Sequence, residues 1–175
     1  NKWSNNVMVR QLFLSLGAKY RQPGDRDDLA AAERTIREWL ETKGIQSQGI
    51  VFENGSGLSR IERISARQMA SLLQQAWESR FAAELIASLP LVAMDGTMRR
   101  RLGKAGMAGM GHIKTGSLRD VRSIAGFTRD ENNTTWAVVA MVNHSQAWHT
   151  ETLLDSVIEQ VHLAARPPSI DTAGH

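Results

Sequence analysis

Three consecutive runs late in the chain, "HIKTGSL", "VRSIAGFT" and "TTWAVVAMVNH", restrict the fold more than any other feature. They are rich in β-branched and aromatic residues and are separated by only a few polar residues, "RDENN" forming the second link. A crossover to a parallel neighbour needs roughly a dozen residues or more, so links this short dictate antiparallel pairing. Residues His112 to His144 are therefore expected to form an antiparallel sheet, and such a sheet must bury a face against another layer.

That layer is expected to be helical. After the sheet, Thr150 to Ala165 places Leu153, Leu154, Val157, Ile158 and Val161 on one side of a helix. Near the start, "VMVRQLFLSLG" reads as a buried helix with Ser4 or Asn5 as N-cap and Gly17 as its stop. Asp27 and Asp28 introduce a second helix, with Leu29, Ala32, Ile36, Trp39 and Leu40 inward and Gly44 beyond its end. Ser65 and Gln68 have capping-box spacing ahead of a third, and "FAAELIASL" makes a fourth that Pro90 stops. "GIVFENGSGLSR" reads as a short strand entering a tight turn, whose glycines serve structure. Leu91 to Gly111 has no period and contains five glycines, so it is expected to be a long functional loop. The fold class is α+β, an antiparallel sheet flanked by helices. Residues 1–165 are expected to form one domain and 166–175 a frayed tail.

Composition narrows the function without choosing it. Hydrophobic residues make up 42% and charged residues 22%, close to a globular average, and no apolar run approaches the roughly 20 residues of a membrane span. Cysteine is absent, which excludes disulfides, thiol nucleophiles and cysteine metal sites. The chain begins with Asn1 and shows no basic and apolar leader, so any export signal is expected to lie upstream. Basic residues concentrate between Asp95 and Arg129, where Arg99, Arg100, Arg101, Lys104, Lys114, Arg119, Arg122 and Arg129 face only Asp95 and Asp120. Such a segment attracts anions.

Several chemistries fail on spacing. Lys114 follows Ile113 and not glycine, so Lys114-Thr115-Gly116 is no phosphate-binding P-loop. His144 and His149 lack the spacing and the partners of a metal site, and no cofactor is implied. "RRRLGK" has no aromatic platform beside it, so a solvated loop suits it better than nucleic-acid binding. Taken alone, Lys114-Thr115-Gly116 fits a strand that ends on a glycine.

Its neighbours in the sequence alter that reading. "SNN" at Ser4, "ENGSGLSR" at Glu53, "IASLP" at Ile86, "MDGTMRRRL" at Met94, "HIKTGSL" at His112 and "MVNH" at Met141 occur in this order. Together they resemble the C-terminal part of the D-alanyl-D-alanine carboxypeptidase/endopeptidase family of penicillin-binding proteins, the serine peptidases typified by penicillin-binding protein 4. The resemblance implies a transpeptidase/β-lactamase-like fold, a periplasmic place of work, peptidoglycan stem peptides as substrates and β-lactams as inhibitors.

Penicillin-recognising enzymes carry Ser-x-x-Lys, Ser-Asp-Asn and Lys-Thr-Gly. Here the second appears as Ser4-Asn5-Asn6 and the third as Lys114-Thr115-Gly116, whereas no lysine has a serine three positions before it. The nucleophile is thus expected outside this chain. By resemblance, Ser4 relays a proton and Asn6 holds the substrate amide. Lys114 and Thr115 receive the substrate carboxylate, Gly116 lets an extended peptide lie against the strand, and the Ser117 N–H joins the oxyanion hole. Ser4 also fits a plain N-cap, and one of Arg99, Arg100 and Arg101 either meets the carboxylate or is solvated loop charge. The rival function is a non-catalytic peptidoglycan-binding or scaffold module of the same fold. Apolar helix faces left without their cover lead to an expectation of self-association.

Overall fold

The computed structural model describes residues 1–103 and 106–164. Lys104 and the tail 166–175 lie outside them. The chain divides into two compact units, one spanning Asn1–Ser88 and the other beginning at Leu89.

The first unit is helical: α1 (Asn6–Lys19), α2 (Asp28–Thr42), α3 (Ala66–Trp77) and α4 (Ala82–Ser88). Helix α1 begins at Asn5, whose side chain accepts the Met8 N–H, so the cap is Asn5 and not Ser4. The expected stop at Gly17 is corrected, since α1 continues to Lys19. Gly17 serves close packing instead: a Cβ there would lie 1.8 Å from the Asp28 carbonyl oxygen. Small, fully buried Ala31 and Ala32 complete that contact from α2. The expectation that α1 is buried is also corrected, because Val7, Met8 and Leu12 are exposed and Phe13 and Gly17 alone are buried.

Helix α2 starts on the Asp27 cap and ends before Gly44, which has φ +68°. Leu40 joins Ile45 and Ile50 in a small core, while Trp39 points outward. Arg37 ties this core to its surroundings by donating to the Ser47 and Ile50 carbonyls and lying over the Phe52 ring. The expected strand at 50–52 is reduced to a single bridge between Val51 and Arg63. The tight turn after it is present, and Gly55 has φ +66° with the Phe13 ring where a Cβ would stand. The capping box of Ser65 and Gln68 opens α3 as expected.

Arg34 clamps the α1–α2 connection. Its guanidinium makes two hydrogen bonds to Asp25, at 3.0 and 2.8 Å, and a third to the Tyr20 carbonyl at 2.8 Å. This fork holds the Asp25 carboxyl down to about 2 from its ordinary 3.8. A carboxyl whose folded pKa is depressed stabilises the fold above its unfolded pKa and loses that contribution as pH falls through the folded value. The contribution of Asp25 to thermal stability is therefore expected to fade between pH 4 and pH 2. Asp25→Asn should have a lower melting temperature at pH 5 and a shallower fall; an unchanged slope would remove the clamp from the acid response.

The second unit holds the sheet, β1 (Gly111–Leu118), β2 (Val121–Arg129) and β3 (Thr135–Asn143), followed by α5 (Glu151–Leu163). The strands pair antiparallel in the order β1-β2-β3, as their short links require. Register sets Ile113 opposite Gly126 and Ile124 opposite Ala140. Ile113, Ile124 and Ile158 are completely buried together with Val138 and Leu154, so α5 covers this face. Each such side chain contributes about 2 kcal/mol of burial. Leu153, expected on the inner side of α5, is exposed.

Between Leu91 and Gly111 the described residues include the short 3-10 turn Gly96–Met98 and a bridge from Leu91 to His112. The segment is more than a surface loop, because Val92, Met98, Leu102 and Met107 enter the core beside the sheet. Its start lines the outer edge of β1: the Ile113 N–H donates to the Pro90 carbonyl and the Val92 N–H to the Gly111 carbonyl. At the far end of β2, buried Asp130 accepts from the Thr134 N–H and the Trp136 Nε1–H, which fixes the β2–β3 turn. Among the described residues, no helix is long and apolar enough to cross a membrane.

Candidate active site

In the first unit, Ser4 and Asn6 flank the cap that starts α1. Ser4 is exposed and has φ +52°, a left-handed conformation costing a serine on the order of 1 kcal/mol. Since Asn5 does the capping, Ser4 is not explained as the N-cap. Asn6 is half-buried, and its Nδ2 donates to the Ser56 carbonyl at 2.6 Å. The "NGSG" turn thus fixes the candidate residue Asn6 in addition to turning the chain. Sequence reading gave it a structural role only, and its strict glycine content was the one available signal.

In the second unit, β1 carries the other four candidates. Side chains on a strand alternate, so Ile113, Thr115 and Ser117 share one face and Lys114 and Gly116 the other. Backbone groups alternate as well. Because the Ile113 N–H points at the outer edge, the N–H and C=O groups of Thr115 and Ser117 point there too. The pairing supplied by Pro90–Val92 on that edge ends at Ile113, so the edge opens at Lys114.

Lys114 is partly buried, and its Nζ donates to the Thr115 carbonyl at 2.6 Å. Burial pushes its ammonium below the ordinary lysine range. A nearby anion would offset that cost by favouring the ammonium. The Thr115 hydroxyl donates to the Thr97 hydroxyl at 2.8 Å. Gly116 lies against Ser123, and a Cβ at 116 would stand 2.3 Å from the Ser123 hydroxyl. Ser117 is exposed and pairs with Arg122 across the hairpin. Arg122 in turn donates to the Leu118 and Val121 carbonyls.

The arginine candidates separate. Arg101 makes a part-buried fork with Asp155 of α5, at 2.9 and 2.6 Å, and is thereby committed to tying the chain after the Gly96–Met98 turn to that helix. Arg99 and Arg100 are exposed. Thr97 and Ser56 are the residues sequence reading missed. Neither has a period, a charge or a spacing that marks it.

The edge of β1 thus presents a lysine, two hydroxyls and outward N–H groups side by side. Penicillin-binding protein 4 from Haemophilus influenzae, solved in complex with a β-lactam, superposes with a TM-score of 0.73 over 90% of this chain and 39% of its own, at 22% identity. The model of the D-Ala-D-Ala carboxypeptidase 3 (S13) family matches residues 1–161, and the chain belongs to that family. A D-alanyl-D-alanine carboxypeptidase of an Actinomadura species is 30% identical over 131 residues, 72% of this chain and 24% of that protein. The D-alanyl-D-alanine carboxypeptidase DacB of Haemophilus influenzae is 28% identical over 145 residues, 81% of this chain and 30% of that protein. The chain therefore spans between about a quarter and a third of the length of these curated relatives.

Proposed function

We propose that this chain is the C-terminal portion of a serine-type D-Ala-D-Ala carboxypeptidase/endopeptidase that acts on peptidoglycan stem peptides through an acyl-enzyme in the periplasm. The observation that carries the reading is the half-covered edge of β1, which opens at Lys114 within a chain matched to its family over residues 1–161.

The roles follow from the chemistry of the groups. Lys114 neutralises the carboxylate of the terminal D-alanine, and the Thr115 hydroxyl directs it. Gly116 leaves the peptide room to pair with the strand, and the outward Ser117 N–H stabilises the oxyanion. Ser4 relays the proton to the leaving amine and Asn6 holds the substrate amide. A serine oxygen outside this chain attacks the carbonyl carbon, the C–N bond breaks, and the terminal D-alanine leaves. Water then hydrolyses the ester and regenerates the serine. β-Lactams inhibit by acylating the same serine. Self-association of the isolated chain belongs to this reading, because Trp3, Val7, Met8 and Leu12 are exposed.

One mass measurement tests it. The gene product that carries this chain, incubated with benzylpenicillin and weighed intact, is expected to gain one drug mass. The 175-residue chain treated alike is expected to gain none, since it has no Ser-x-x-Lys. A gene product that gains nothing would be a peptidoglycan-binding or scaffold module, and a stoichiometric gain by the chain itself would put the nucleophile among these residues.

A further inference from the structure

Thr97 stands in the 3-10 turn Gly96–Met98, and its hydroxyl oxygen lies 2.8 Å from that of Thr115. The turn is fixed on three sides. Before it, Leu91 to Asp95 close on themselves, the Asp95 carboxylate accepting the Leu91 N–H at 2.7 Å, while Val92 is pinned to Gly111 of β1. Its last residue, Met98, is fully buried in the core. Three residues further on, Arg101 is held by Asp155 of α5. A hydroxyl presented by such a rigid turn is in place before any ligand arrives.

Resting on the reading of β1 as the edge that receives a carboxylate, we infer that Thr97 is a positioning residue for Thr115, setting the rotamer in which the Thr115 hydroxyl meets that carboxylate. A threonine hydroxyl has one hydrogen to give and two lone pairs to accept with. In the structure the Thr115 hydroxyl gives its hydrogen to the Thr97 oxygen. When a carboxylate takes the Thr115 hydrogen, the Thr97 hydrogen turns onto the Thr115 oxygen, and the two bonds in series polarise and strengthen each other. Ordering of the Thr115 side chain is thus done by the fold and not by the ligand, which saves part of the cost of immobilising it. The benefit exists only for a substrate that ends in a charged carboxylate.

The test compares Thr97→Val and Thr97→Ser in the full gene product, on a D-Ala-D-Ala peptide with a free C-terminus and on its methyl ester. Thr97→Val is expected to lower kcat/KM about tenfold on the free acid and to leave the ester unchanged, the loss of one hydroxyl partner to a charged acceptor. Thr97→Ser is expected to match the wild type on both. An equal loss on acid and ester, or no loss on either, overturns the inference. Failure of the underlying reading looks different: Lys114→Ala and Thr115→Val would then also leave the free acid unaffected. In that event the couplings of Thr115 by NMR in the full gene product, labelled at threonine, still decide the contact. A single χ1 rotamer in the wild type that becomes averaged in Thr97→Val supports positioning, whereas averaging already in the wild type, or one rotamer retained in the variant, refutes it.

Discussion

Lys114→Ala in the full gene product is expected to reduce kcat/KM on a D-Ala-D-Ala peptide by about 100-fold or more while the protein stays folded. One charged contact in a closed site is worth on the order of 3 kcal/mol of transition-state stabilisation. The structure adds why folding should survive the change. Burial already disfavours the Lys114 ammonium, so deleting it removes a desolvation penalty along with its bond to the Thr115 carbonyl. The melting temperature is expected to stay within a few degrees of wild type. Kinetics near those of the wild type would take Lys114 out of the site.

Arg101→Met is expected to cost about 2–3 kcal/mol of stability, read as a shift of the urea midpoint, because it strands Asp155 as a carboxylate without its partner. The lower end of the usual range for a buried pair applies, since 11% and 19% of the two side-chain surfaces remain exposed. Arg101→Met combined with Asp155→Leu should recover most of the loss, because an apolar pair of similar volume has no charge to strand. The single variant should also loosen the 91–111 segment and, with it, the turn that carries Thr97. An unchanged midpoint would return Arg101 to the arginines available for a carboxylate ligand.

Much of the second unit was legible because its signals are local. Short links fix antiparallel pairing, and the strand runs end within a residue or so of β1, β2 and β3. The α2 cap and the α3 capping box were readable for the same reason, as each is a side chain bonding its own neighbours. What failed depended on distant partners. Gly17 resembles a stop signal in sequence, yet the carbonyl of Asp28 that demands it belongs to another helix. The apolar residues of α1 imply burial, but amphipathic patterning cannot say whether a cover is present. Arg101 looked equivalent to its two neighbours until α5 brought Asp155 to it. The candidate site was proposed through its resemblance to a family; the contacts beside it, Ser56 with Asn6 and Thr97 with Thr115, run through a carbonyl and a hydroxyl that occur everywhere in proteins.

The half-covered edge of β1 also bears on solubility. A long bare strand edge invites a second sheet to join it and is a common route to aggregation. Here Pro90 and Val92 occupy the first half of the edge, and the stretch beyond Ile113 to the end of β1 covers five residues, Lys114–Leu118. At about 3.4 Å per residue, that is roughly 17 Å of open ladder. A short peptide can dock along such a length, but another sheet finds too few bonds there and meets Lys114 as it approaches. Substitutions that peel Pro90–Val92 away from β1 should therefore appear first as turbidity during expression, before any change in ligand affinity can be measured.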